Sequence, residues 1–138
     1  PERKKAEKTV KELGIQDKVI FLGESNEIDK ILCFSDLFLL PSETESFGLA
    51  ALEAMVNSVP VISSNSGGLP EVNKHGQSGY LYEVGDVKLM ANGAISILEN
   101  NDTLARFKQQ ARIASARFDI HQVVPMYEEL YQKALILA

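Results

Sequence analysis

The 138-residue chain has little of several things that would have fixed its chemistry early: one cysteine, Cys33, and two histidines, His75 and His121. A single cysteine cannot close an internal disulfide, and two histidines so far apart in sequence make no metal-ligand cluster. The net charge is -5 with 24% charged residues, and no basic block stands out beyond Arg3-Lys4-Lys5. That excludes the electrostatic footprint of a nucleic-acid binder, and the short run reads as a solvated helix face. No apolar stretch approaches the roughly 20 residues of a membrane span, and no signal-type segment precedes the first helix. The setting expected from these absences is reduced and cytoplasmic. Internal repeats, low-complexity tracts and flexible linkers are missing too.

What is present is a hydrophobic fraction of 45%, enough for the core of one α/β domain. Pro1 to Gly14 reads as an amphipathic helix with Ala6, Val10 and Leu13 on its inner stripe and Gly14 at its stop. Val19-Ile-Phe-Leu22 lacks alternation and is predicted as a buried parallel strand, followed by a loop, Gly23-Glu-Ser-Asn26. Glu27 to Phe34 is a short helix with Ile28, Ile31 and Leu32 inward, and Cys33 reads as a small core residue. Leu37 to Leu40, Ser58 to Ser64 and Tyr80 to Tyr82 supply three more strands. Strand and helix alternate through Tyr82, which calls for a Rossmann-like parallel sheet with flanking helices, here with four visible strands.

Three helices close the chain: Val87 to about Glu99 with Asp86 as N-cap, Asp102 to about Phe118, and His121 to Leu137. Their predicted inward stripes are Leu89, Met90, Ile95 and Leu98, then Leu104, Phe107 and Ile113, then Val124, Tyr127, Leu130 and Tyr131. His75 stands among turn residues and His121 near a helix start, so both are expected to be exposed or capping rather than catalytic.

The stretch with chemical character is Pro41-Ser-Glu-Thr-Glu-Ser-Phe-Gly-Leu-Ala-Ala-Leu-Glu-Ala-Met55, a strand end, a polar loop and a helix N-terminus. Glu45 and Glu53 have seven residues between them, one at the helix mouth and one further in. A carboxylate accepts two hydrogen bonds and donates none, which suits the paired hydroxyls of a ribose or a hexose. The free N–H groups of Phe47, Gly48 and Leu49 at the helix start favour a phosphate or a developing negative charge. The plainer reading makes Glu45 a first-turn acid and Glu53 a surface residue. Against it, Glu53 stands in a helix apolar on nearly every side, where a charge needs a partner. Ser46-Phe47-Gly48 between the acids lets backbone come close to a ligand, and Gly67-Gly68 after the next strand is read the same way beside that motif, a plain turn being the alternative.

Glu45-Ser-Phe-Gly-Leu-Ala-Ala-Leu-Glu53 resembles the E-x7-E signature of retaining glycosyltransferases of the GT-B fold, family 4. The resemblance continues through Val59-Pro-Val-Ile-Ser63 and Gly67-Gly-Leu-Pro-Glu71 to Gly76-Gln-Ser-Gly-Tyr-Leu81, so it covers essentially the whole chain. One departure is Met55-Val-Asn-Ser-Val-Pro60, where the family commonly has a Cys-Gly pair before the valine; Asn57-Ser58 can make that turn.

The resemblance implies that residues 1–138 are part of the donor-binding C-terminal domain. The acceptor-binding N-terminal domain, the opening strand and helix of the C-terminal domain, and the Arg and Lys that meet the donor diphosphate are then expected before Pro1. It implies a nucleotide-sugar donor, with Glu53 on the ribose, Glu45 on a hydroxyl of the transferred sugar as the candidate catalytic residue, and Ser46, Phe47, Gly48 and Leu49 lining the site. Gly67 and Gly68 lie alongside, and Gly23 and Glu24 beside the base; a plain connecting turn is the alternative for that last loop. No metal or other cofactor is implied, in keeping with the lack of an Asp-x-Asp element.

Ser42 to Met55, Tyr82 to Asp86 and Val124 to Tyr131 resemble the branch that joins N-acetylglucosamine to L-malate in bacillithiol synthesis. That implies UDP-N-acetylglucosamine as donor and a small acceptor held mainly by the preceding domain. A homodimer of the full-length protein stays open. Open too are a family 4 transferase with a glycan or lipid acceptor, a GT-B nucleotide-sugar epimerase, and a non-catalytic α/β interaction domain.

Overall fold

The computed structural model describes residues 2–136; the predicted ends of the first and last helices, Pro1 and Leu137, lie outside them. In order the elements are α1 (Arg3–Glu12), α2 (Ile28–Cys33), β1 (Phe38–Leu40), α3 (Leu49–Val56), β2 (Val61–Ser64), α4 (Leu69–Val72), β3 (Gly79–Tyr82), α5 (Val87–Leu98), α6 (Asn101–Ala116) and α7 (Ile120–Ile136). The three strands form one parallel sheet in the order β1-β2-β3, with Phe38 opposite Val61 and Ile62 opposite Tyr80.

Every residue of β2 is buried, because it is the central strand and has helices on both faces. Its side chains alternate between two cores. Val61 packs with Ala51, Ala54 and Met55 of α3, Leu69 and Val72 of α4, and Ala111 of α6. Ile62 points the other way, to Met90 and Ile97 of α5 and Phe107 of α6. Helix α6 therefore serves both layers.

Local chemistry sets the helix ends. Asp86 accepts from the Leu89 N–H at 3.2 Å and Asn100 from the Thr103 N–H at 2.8 Å, each an N-cap. Helix α3 ends in a Schellman motif: the Val59 N–H reaches the Ala54 carbonyl and the Ser58 N–H reaches that of Met55, each at 2.9 Å. Ser58 takes φ 61°, the left-handed turn that the sequence asked of Asn57-Ser58.

Several expectations are corrected. Val19–Leu22 pairs with nothing, so the sheet has three strands and not four; Ile20 is 83% exposed. A strand apolar on both faces needs helices above and below and a neighbour to pair with. Among the described residues no backbone hydrogen bond ties it to β1, and α1 buries none of its residues. Helix α1 forms as predicted, but Ala6 and Leu13 are exposed and Val10 is only half-buried; Arg3–Glu7, Lys5–Glu2 and Lys8–Glu12 ion pairs lie along it.

Cys33 is exposed, since the six-residue α2 turns Leu32 inward and leaves its neighbour outside. Ile28 also faces out. On α5 the inner face is Met90, Gly93 and Ile97, not Leu89, Ile95 and Leu98; on α6 it is Phe107, Ala111 and Ser115, with Ile113 outside. Helix α7 buries no residue, and Val124, Tyr127, Leu130 and Tyr131 are exposed. Apolar periodicity marks a face that can be buried, and these faces meet no partner among the described residues.

Candidate donor site

Loops leave the carboxyl ends of the three strands side by side, where open parallel sheets collect their ligands. The first, after β1, runs through Glu43 to Gly48 into α3. The second, after β2, runs from Asn65 to Gly68 into α4. They are locked together backbone to backbone. Gly67, at φ +53°, lies so close to the Glu45 carbonyl that a Cβ would stand 1.5 Å from its oxygen. A Cβ on Gly68 would stand 2.7 Å from the Phe47 Cα and from the Ser46 oxygen. Only glycine fits either place.

Two further contacts close the clasp. The Ser66 hydroxyl donates to the Glu43 carbonyl at 2.9 Å, and Gly48 leaves room for the Leu69 side chain, which a Cβ would meet at 2.8 Å. The third loop joins through Asn65. Its N–H donates to the Tyr82 carbonyl at 2.6 Å and its side-chain amide to the Glu83 carboxylate at 3.1 Å.

Seven of the sequence-predicted residues are thus brought together: Glu45, Ser46, Phe47, Gly48, Leu49, Gly67 and Gly68. Glu45 is half-buried, and one of its carboxylate oxygens accepts from the Ser46 N–H at 3.2 Å. Gly48, at φ +97°, is the N-cap of α3, and no side chain caps that helix start. Among the described residues the N–H groups of Phe47, Gly48 and Leu49 donate to no protein acceptor. They form the positive end of a helix with free donors, an anion-binding arrangement. The Phe47 ring turns the other way, edge-on to Phe118 with centroids 5.6 Å apart, so Phe47 can offer the site only its backbone.

Glu53 departs from expectation. Helix α3 is one-sided, burying Ala51, Ala54 and Met55, and Glu53 stands exposed with Leu49 and Val56. Its charge is in water, so burial gives no argument for a partner. Gly23, at φ +74°, and Glu24 form no hydrogen bond or ion pair with the clasp; the contact nearest to Gly23 is the Arg3 guanidinium, 3.7 Å from where a Cβ would sit. The paired glycines, read from sequence as donors lining the site, also have the structural use just described.

Two arginines, Arg112 of α6 and Arg117 just after it, hold the far ends of the helices that meet here. Arg112 donates to the Val56 carbonyl of α3, and Arg117 to the Glu71 and Val72 carbonyls of α4. Cations suit helix C-termini. His75 is exposed, as expected, and its Nδ1 lies 3.2 Å from the Leu81 nitrogen and 2.9 Å from its oxygen. His121 is exposed near the start of α7, its N–H donating to Asp119 at 2.8 Å. Burial, with the nearby Tyr80 and Asp86 adding to it, raises the Tyr82 hydroxyl above the usual tyrosine value of 10.0. Among the described residues no group of three or more His, Cys, Asp or Glu side chains could hold a metal ion, and no helix is long and apolar enough to cross a membrane.

Ser66 and Asn65 do as much here as the motif residues. In sequence a Ser before Gly-Gly signals a turn without saying what the turn grips.

A parallel sheet with helices on both faces and a glycine-tightened, anion-ready cleft at its carboxyl edge suits an enzyme that takes a phosphate-bearing ligand. Comparison with known proteins agrees. Residues 1–114 match the family glycosyl transferases group 1, and the chain belongs to that family. Its fold is part of a domain of the GT-B glycosyltransferases.

The chain is 43% identical over 127 residues to the N-acetyl-alpha-D-glucosaminyl L-malate synthase of Bacillus anthracis, covering 91% of this chain and 33% of that protein. It is 33% identical over 134 residues to the 2-deoxystreptamine N-acetyl-D-glucosaminyltransferase of Niallia circulans, covering 95% and 34%. Among solved structures, the Anabaena protein Alr3699/HepE in complex with UDP superposes with a TM-score of 0.86 at 30% identity, covering 94% of this chain and 36% of that one. The chain spans about a third of the length of these relatives.

Proposed function

We propose that this chain is the donor-binding part of a longer retaining glycosyltransferase that moves N-acetylglucosamine from UDP-N-acetylglucosamine to the hydroxyl of L-malate. The observation that carries the reading is the clasp: Gly67 and Gly68 press the Glu45–Phe47 backbone into place and leave an uncapped helix start beside Glu45. The names of the two relatives favour N-acetylglucosamine, and the UDP in the Anabaena complex favours a uridine donor.

Glu53 holds the ribose hydroxyls and Glu45 a hydroxyl of the transferred sugar. The N–H groups of Phe47, Gly48 and Leu49 meet sugar and phosphate, with Ser46 beside them, and Gly23 and Glu24 flank the base. The bond from the anomeric carbon to the phosphate oxygen breaks and the bond to the malate oxygen forms on the same face. The departing phosphate takes the malate hydroxyl proton, so the proton lost by the acceptor leaves with UDP and none is left over. Catalysis then rests on positioning and on stabilising the charge that grows on the diphosphate, with no metal ion required. Malate is held mainly by the part of the protein outside this chain, and the reaction is cytoplasmic.

The test is UDP release by the full-length protein from UDP-N-acetylglucosamine, with L-malate and without it. Malate-dependent release is the expected result. Release without malate points to an epimerase or to hydrolysis, and no release in either case overturns the donor and acceptor named here. Glu53→Gln is expected to weaken UDP binding by ~1.5–3 kcal/mol, the worth of a hydrogen bond to a charged group.

A further inference from the structure

Behind the clasp lies a polar group that the proposed chemistry does not use. Asn73, the residue that ends α4, is fully buried between α4 and the sheet. The two N–H bonds of its amide are shared among the Val61 carbonyl of β2 at 3.0 Å, the Ser63 hydroxyl at 3.1 Å and the Tyr80 carbonyl of β3 at 3.2 Å. Its amide oxygen accepts from the Ser78 hydroxyl at 2.8 Å, and that same hydroxyl accepts from the Lys74 N–H at 2.8 Å. An apolar residue would fill this space without ordering anything. A saturated amide instead fixes one position, because any shift of α4 leaves a buried donor or acceptor unmet.

Helix α4 is a single turn, so what is fixed at Asn73 is transmitted to its start. The Asn73 N–H is bonded to the Leu69 carbonyl at 2.8 Å. Leu69 is fully buried and fills the space over Gly48, and Gly68 and Gly67 just before it bear on Phe47 and Glu45. We infer that Asn73 is a positioning residue for the donor site: it pins α4 to β2 and β3 and so sets where the Glu45–Gly48 backbone lies. Arg117, on the Glu71 and Val72 carbonyls, steadies the same turn from outside.

This inference rests on the donor-site reading above. Its test uses the full-length protein with UDP as the probe. Asn73→Asp keeps the shape and removes the three donor contacts. Ser78→Ala is the milder variant, taking away one hydroxyl, and carries the test should Asn73→Asp fail to fold. Phe107→Leu, in the core on the other face of the sheet, serves as a stability control. UDP affinity and the kcat and KM for the donor are read well below each melting midpoint, where every variant is folded.

Asn73→Asp and Ser78→Ala are expected to weaken UDP binding and raise the donor KM by about tenfold, the scale on which small displacements of positioned groups act. Phe107→Leu is expected to lower the midpoint and leave UDP affinity within about twofold, since its ring packs on the Tyr80 side chain and takes no part in the hydrogen bonds around Asn73. Variants at positions 73 and 78 that bind UDP as the wild type does would overturn the positioning role while leaving the donor site standing. A wild type that binds no UDP would overturn both.

Discussion

The clasp and the two ends of the chain are built on opposite terms. Around Gly67 and Gly68 the chain packs backbone on backbone, with no tolerance for a single added carbon. At α1 and α7 the helices carry well-formed apolar stripes that bury no residue. Both regions look purposeful in sequence, yet among the described residues only the first is tightly packed. Periodicity shows which face of a helix can be buried, and it does not show whether the partner lies in the same chain.

The contrast can be broken or sharpened by substitution. The largest effect is expected from Phe107→Ala, which empties a fully buried site shared by α6 and the sheet and should cost ~3–5 kcal/mol in denaturant unfolding. Its counterpart Tyr131→Ala, on the exposed stripe of α7, should stay within about 0.5 kcal/mol in this chain. Equal losses would mean that the ends are packed after all.

Next is Gly67→Ala. The added Cβ must displace the Glu45 carbonyl, and the residue must keep a positive φ. Unfolding should lose ~1–3 kcal/mol from overpacking, with UDP binding impaired beyond what the lost stability explains. Intact UDP binding would separate the clasp from the site.

A gain is expected at Ser58, which holds φ 61° at the end of α3. Glycine takes that conformation without the Cβ clash, so Ser58→Gly should stabilise by about 0.5–1 kcal/mol, the clash relieved being larger than the extra freedom of the unfolded glycine. A melting midpoint that falls instead would show that the Schellman turn tolerates serine fully.

The smallest effect concerns Tyr82. Its hydroxyl is raised in the folded state, first by burial and then by Tyr80 and Asp86. The folded protein therefore keeps this proton to higher pH than the unfolded chain does. The resulting stability is present below the ordinary tyrosine value of 10.0 and is lost as pH rises through the folded one. Tyr82→Phe should flatten the alkaline fall of the melting midpoint; an unchanged slope would assign that fall to other groups.

Much of this was legible in the residues themselves. The order of β1, α3, β2 and β3 follows from alternating apolar runs and turns, and Asp86 announced the start of α5. That Glu45, Phe47, Gly48 and the glycine pair share one edge of the sheet was legible from the motif and the strand that follows it. Val19–Leu22 misled because an apolar run reads as a strand whether or not a neighbour is there to pair with it. The surroundings of Glu53 misled in a different way: α3 carries apolar residues on its outer face too, so composition hid which side faces water. Asn73 was invisible, since one asparagine after a short helix looks like a cap until its burial is known.

The most direct measurement of the central claim is a crystal structure of the full-length protein with UDP. The account predicts the ribose within hydrogen-bond distance of the Glu53 carboxylate and the diphosphate beside the N–H groups of Phe47, Gly48 and Leu49. A nucleotide seated elsewhere, for instance in the groove between α3 and α6 lined by Leu52, Arg112 and Asp119, would contradict it.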